Sequence, residues 1–214
     1  MARDIRVLMV DDHPVVREGV RTLLSTLEGL EVVGAAGDGA SGVSMAVELK
    51  PDVILMDLFM PEMDGVEATR RVLEACPEAA VLVLSGSSGD QKIYEAVREG
   101  ALGYLSKDAE PDDFGRAIRQ VHRGEPFLSP ELTRKLISSR QEPSQAQESL
   151  TPREAEILRF VSRGWDDDRI AEHLHVAKVT VRTHVKNILG KLGLGNRVEA
   201  TLYALRQGLA QLGE

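Results

Sequence analysis

Five polar side chains in this sequence, each set just after a short apolar run, are of the types that handle phosphate. Asp11 and Asp12 follow Ile5-Arg6-Val7-Leu8-Met9-Val10. Asp57 follows Val53-Ile54-Leu55-Met56, Ser85 follows Ala79 to Leu84, and Lys107 comes shortly after Gly103-Tyr104-Leu105. Three carboxylates brought together repel unless something positive joins them. Hard oxygen ligands suit Mg2+, which usually takes one or two carboxylates with waters and a phosphate. Lys107 adds a movable point charge and Ser85 a hydroxyl donor. Brought to one place, the set would hold a divalent metal and a phosphoryl group.

The elements between these residues decide whether they meet. A short apolar run closed by turn residues, such as Val53 to Met56 before Pro61 and Gly65, reads as a strand buried on both faces. Five such strands are predicted: Ile5–Val10, Glu31–Ala36, Val53–Met56, Ala79–Leu84 and Gly103–Leu105. Between them, apolar residues recur at helical spacing. Val16, Val20, Leu23, Leu24 and Leu27 mark a helix after Pro14, and Val43, Ala46, Val47 and Leu49 mark a second. Further helices are predicted near 65–75, 91–99 and 111–122. Strands alternating with helices of this length predict a doubly wound α/β fold with a parallel five-stranded sheet. In a 2-1-3-4-5 strand order, strands one and three are neighbours at the switch point, where ligands bind outside the carboxyl ends. All five polar groups then fall on that edge.

Asp11-Asp12, Asp57, Ser85, Tyr104 and Lys107, in that order, resemble the signature of a flavodoxin-like response-regulator receiver domain, over about residues 4–123. The resemblance implies that Asp57 is the phospho-acceptor and that Asp12 and Asp57 ligate Mg2+ directly. It implies that Asp11 acts mainly through water, that the Phe59 carbonyl supplies another ligand, and that Ser85 and Tyr104 are a switch pair. A haloacid-dehalogenase-type phosphatase also uses an Asp nucleophile with Mg2+. It carries a second Asp two residues on as general acid, where this chain has Phe59, which cannot move protons. A Walker-type glycine loop is also absent from the sequence.

The second half has another character. Residues 1–149 hold 16 Lys+Arg against 26 Asp+Glu, whereas residues 150–214 hold 10 against 8. We expect a first domain over 1–124, a linker with a short helix over 125–149 and an all-α domain over 150–214. The polar stretch 139–149, with Pro143, reads as a flexible tether. Thr151-Pro152-Arg153-Glu154 combines a capping box with proline at the first helical position. Ala155, Leu158, Phe160 and Val161 supply that helix's apolar side. A short helix is expected after Asp166-Asp167-Asp168, and a longer one over 178–192. On the longer helix Val181, Val185, Ile188 and Leu192 face a core, while Lys178, Arg182 and Lys186 form a basic stripe. Two short helices before it, joined by a tight turn, favour a helix-turn-helix.

Leu150 to Glu154, Ile170-Ala171, Thr180 to Val185 and Ile188 with Lys191-Leu192 resemble the LuxR-type helix-turn-helix. Joined to a receiver, this is similar to the NarL/FixJ family of two-component transcription regulators. The family implies that Arg182, Thr183 and Lys186, with Lys178 on the same stripe, face the major groove of double-stranded DNA. It implies that the last helix, with Val198, Leu202 and Leu205, pairs two subunits when the protein is phosphorylated. A sensor histidine kinase is the implied donor, and RNA polymerase a further partner. The alternative is a phosphorylation-controlled protein-binding module with weak or no DNA binding. It is motivated by Asp166-Asp167-Asp168, where relatives usually carry Ser or Thr, then Asn, then a basic residue. Acids there would cap the helix and favour its dipole but repel DNA phosphates.

Composition bounds the rest. The chain has 214 residues, 43% hydrophobic and 28% charged, with a net charge of −8, ordinary for a globular protein with a core. The longest apolar run, Ala79 to Leu84, is far too short to span a membrane. Met1-Ala2-Arg3-Asp4 does not read as a secretory signal. Cys76 is the single cysteine, which excludes an intrachain disulfide and fits a reducing, cytoplasmic setting. The five histidines lack paired zinc-ligand spacing.

Overall fold

The computed structural model describes residues 3–86, 90–129, 132–133 and 150–209. The chain divides into two compact units, residues 1–123 and 124–214. The tether expected over 139–149 lies outside the described residues. So does most of the short helix expected over 130–138, of which Leu132 and Thr133 are described as helical.

In the first unit β1 (Ile5–Val10), β2 (Leu30–Ala36), β3 (Val53–Asp57), β4 (Ala80–Ser85) and β5 (Gly103–Ser106) form one sheet in the order β2-β1-β3-β4-β5. Every pairing is parallel. Helices α1 (Pro14–Ser25), α2 (Gly39–Leu49), α3 (Gly65–Ala75), α4 (Asp90–Arg98) and α5 (Pro111–His122) alternate with the strands. β3 and β4 are buried at every residue, which explains their unbroken apolar sequences. This is the parallel sheet that the alternating pattern predicts, in the flavodoxin-like order that the receiver resemblance implies.

Two boundaries bear on the site. Asp57 and Ser85 are the last residues of their strands rather than the first residues beyond them, so their backbones belong to the sheet. Ser85 stands in register with Ser106, and Asp57 with Leu84. The return from β3 into α3 is also tight. A Cβ on Gly65 would lie 2.0 Å from the Asp57 carbonyl oxygen and 2.8 Å from Leu58 Cα. Only glycine allows the helix start to come this close to the Asp57 backbone. Asp64 caps that helix by accepting from the Val66 and Glu67 amides.

The second unit contains α6 (Pro152–Ser162), α7 (Asp167–Leu174), α8 (Lys178–Leu192) and α9 (Arg197–Arg206). The capping box is formed in both directions between Thr151 and Glu154. Asp166 caps α7, Asn196 caps α9, and α8 ends at Gly193 with φ 62°. Ile157, Leu158, Val161, Ile170, Val181 and Ile188 are central in the core. On α6 the inward face includes Ile157, while Ala155 and Phe160 are only half-buried. Phe160 packs against this core as expected and stacks on Trp165 with ring centroids 4.6 Å apart, and Ile157 is the core residue of α6 that the expected set lacked. No helix among the described residues is long and apolar enough to cross a membrane.

Candidate functional site

Asp57 reaches the carboxyl edge of the sheet as the end of a strand with no polar neighbour before it, and its side chain is 2% exposed. Asp11 follows β1, which lies next to β3, and its amide donates to the Ala36 carbonyl at 3.2 Å. The Lys107 amide donates to the Ser85 carbonyl at 3.1 Å, which ties this residue to the end of β4. From there Lys107 Nζ comes within 2.8 Å of Asp57 Oδ2 and 2.6 Å of Asp11 Oδ2. The Lys107 side chain is only 15% exposed. Burial by itself would lower its pKa, but hydrogen bonding and charge from Asp11 and Asp57 outweigh burial and hold it above the ordinary value.

One cation does not satisfy this group. Asp11 Oδ2 meets Lys107 as an ion pair, and Asp12 Oδ1 lies 2.7 Å from His13 Nδ1. Both oxygens are buried, and Asp12 Oδ1 has no hydrogen-bond partner. Ligand atoms of Asp11, Asp12, His13 and Asp57 all fall within 4.8 Å of one another. An acidic pocket with buried, converging oxygens fits a hard divalent cation such as Mg2+. Beside it opens a cavity of about 350 Å³ lined by His13, Val16, Asp57, Phe59, Gly86 and Lys107. Phe59, at the rim of this cavity, is 44% exposed.

Asp11, Asp12, Asp57 and Lys107 are thus brought together, with Phe59 beside them. Ser85 is fully buried at the end of β4, and Tyr104 is half-buried on β5 opposite Val83. Neither lines the cavity. His13 escaped the sequence reading, which looked for histidine pairs. Its position directly after two acids was the available signal.

In the second unit Lys178, Arg182, Thr183 and Lys186 are exposed on α8. The Thr183 hydroxyl donates to the Val179 carbonyl at 2.9 Å. Two stripe cations face acids of α7: Lys178 Nζ lies 2.6 Å from Asp168, and Arg182 Nε lies 3.5 Å from Asp167. Lys191 points elsewhere, to Glu154 at 2.8 Å. On α9, Val198 and Leu202 are 1% and 7% exposed, and Leu205 is half-buried.

Comparison with known proteins decides the family. The response regulator receiver domain model matches residues 7–119, more than half of the chain. The chain is a response regulator. Its residues 148–204 match the model of bacterial regulatory proteins of the luxR family. This response regulator is 40% identical over 207 residues to the response regulator protein VraR of Staphylococcus epidermidis, covering 97% of this chain and 99% of that protein. It is 41% identical over the same length to VraR of Staphylococcus aureus. Among solved structures, two RcsB dimers bound to two parallel DNAs match with a TM-score of 0.57 at 25% identity, over 95% of this chain and 99% of that one. The receiver domain of the putative response regulator NarL from Mycobacterium tuberculosis matches with a TM-score of 0.55 at 35% identity, over 57% of this chain and 99% of that one. The two matched domains are those of a regulator, not of a typical enzyme.

Proposed function

We propose that Asp57 takes a phosphoryl group from a sensor histidine kinase, and that this modification controls dimerisation and sequence-specific DNA binding by the C-terminal domain. The observation that carries the reading is the meeting of Asp57, Asp11 and Lys107 beside the buried oxygens of Asp11 and Asp12. A carboxylate oxygen of Asp57 attacks phosphorus, the new O–P bond forms as the P–N bond of the donor phosphohistidine breaks, and the imidazole leaves with the electron pair. The work of the site is positioning and charge dispersal. Lys107 meets the negative charge of the incoming phosphoryl oxygens. Asp11, Asp12 and Asp57, with the Phe59 carbonyl, would hold Mg2+, which when bound neutralises the transferred group. Ser85, on the strand beside Asp57, and Tyr104, one strand further on, respond to the new charge.

At the output end, Lys178, Arg182, Thr183 and Lys186 form the DNA-facing surface, supported by their exposure, the luxR-family match and the DNA-bound RcsB dimers. The same observations favour DNA binding over output through protein contacts alone. Pairing through Val198, Leu202 and Leu205 requires Val198 and Leu202, now buried, to be uncovered. A single cysteine and no described membrane helix agree with action in the cytoplasm, where kinase and RNA polymerase are the further partners.

The test is incubation of the full chain with acetyl phosphate and Mg2+. One base-labile phosphoryl group should appear by intact mass, and none in Asp57→Asn. Full labelling of that variant would overturn the assignment.

A further inference from the structure

Asp166, Asp167 and Asp168 are consecutive, yet the structure gives them three different tasks. Asp166 accepts from the Arg169 amide at 2.7 Å and caps α7. Asp168, with a side chain 68% exposed, makes a surface ion pair with Lys178, of the kind that solvent and salt weaken. Asp167 is the held one. Its side chain is 16% exposed, and Oδ1 accepts from Arg197 Nη1 at 2.7 Å. Arg197, itself 15% exposed, also donates from Nη2 to the Trp165 carbonyl at 2.5 Å. The carboxylate is therefore fixed between the start of α7 and the start of α9, and its Oδ2 faces Arg182 Nε at 3.5 Å.

We propose that Asp167 is a positioning residue for sequence readout, aiming the Arg182 guanidinium from behind. This rests on the reading that α8 meets DNA. An arginine reads guanine by two parallel hydrogen bonds, so the plane and direction of its fork decide whether the contact forms. A free arginine must lose several rotamers to reach that geometry, and a group that holds it beforehand reduces this loss. Asp167 faces the inner nitrogen of the fork, Nε, at 3.5 Å, which restrains the guanidinium at its base and leaves its direction tied to the held carboxylate. Its own charge works the other way on phosphates. Asp167 should therefore raise discrimination between bases while lowering affinity for any sequence.

Those opposite signs give the test. The full chain, treated with acetyl phosphate and Mg2+, selects from a random-sequence duplex library, and base preferences are compared for wild type, Asp167→Asn, Asp168→Asn, Arg182→Ala and the Asp167→Asn, Arg182→Ala double variant. Thermal unfolding followed at Trp165 shows that each variant is folded, and Asp167→Asn, nearly isosteric, keeps an acceptor for Arg197. Preference at the base that Arg182→Ala relaxes should fall about ten-fold in Asp167→Asn. Affinity for an unselected duplex at low salt should rise about two-fold per subunit, as removal of one charge about 8 Å from a phosphate gives in water. Asp168→Asn should raise that affinity without changing any preference, and the double variant should relax no base beyond Arg182→Ala. Wild-type preference in Asp167→Asn, or further loss in the double variant, overturns the proposal while leaving DNA binding intact. If the wild-type chain enriches no sequence, the DNA-binding reading falls, and this proposal with it.

Discussion

Replacing Lys107 by Met keeps a stem of similar length and removes the ammonium that lies 2.8 Å from Asp57 and 2.6 Å from Asp11. Two almost fully buried carboxylates are then left facing each other. Their ligand atoms are within 4.8 Å. At that separation and an effective dielectric of about 20, two like charges repel by about 3.5 kcal/mol. Removing one partner of a buried ion pair typically costs about 3–5 kcal/mol. A loss of about 3 kcal/mol, at roughly 4 °C per kcal/mol for a domain of this size, lowers the receiver transition by about 12 °C in chelator. Millimolar Mg2+ should recover more than half of that, because a divalent cation among the same oxygens replaces the lost charge. The two domains can be followed separately in the full chain. Trp165 is the single tryptophan and belongs to the second unit, so its fluorescence reports that unit, while circular dichroism adds the receiver. The Trp165 transition should not move. A receiver transition within two degrees of wild type in chelator would refute the charge argument. An equal loss with and without Mg2+ would assign the effect to packing of the lysine stem instead.

The Glu154 carboxyl is held down to about 2 from an ordinary 4.5 by Lys191 and by the Thr151 amide and hydroxyl. Its contribution to stability is present above about 4.5 and is lost as pH falls towards about 2. Urea midpoints read at Trp165 should therefore fall less steeply over this range in Glu154→Gln, which keeps a capping side chain; parallel curves would refute it. Gly65→Ala must push the Asp57 and Leu58 backbone aside, at a cost of about 3 kcal/mol, lowering the receiver transition and slowing phosphorylation by acetyl phosphate. Wild-type behaviour in both would show that the loop moves freely. Lys186→Ala should weaken binding to all duplexes and lower the salt slope by about one per subunit, whereas Arg182→Ala should relax base preference. Unchanged affinity in both variants would remove α8 from the interface.

Much of this response regulator was legible before folding because its signals are local. Apolar runs ending in Asp57 and Ser85 mark buried parallel strands, because a strand covered on both faces has no room for polar residues until it leaves the sheet. Alternation with helical spacing then gives the layer order, and the chirality of parallel crossovers leaves few topologies. The Thr151-Pro152-Arg153-Glu154 cap is local in the same sense, since its partners are three residues apart. Pairings across long stretches of chain were not legible. Nothing in the local sequence says that Lys107 joins Asp11 as well as Asp57, that Lys191 reaches Glu154, or that Asp167 is gripped by Arg197 and set against Arg182. Helical periodicity named a basic stripe but could not say which of its cations face acids. Likewise, the apolar row of Val198, Leu202 and Leu205 reads equally as core or as interface, and only the tertiary structure shows the first two buried. Side-chain type and spacing determine which groups reach an edge or a face. Which charge meets which depends on the packing of distant segments, because an ion pair forms wherever the fold brings two groups within a few ångströms, whatever their separation in the chain.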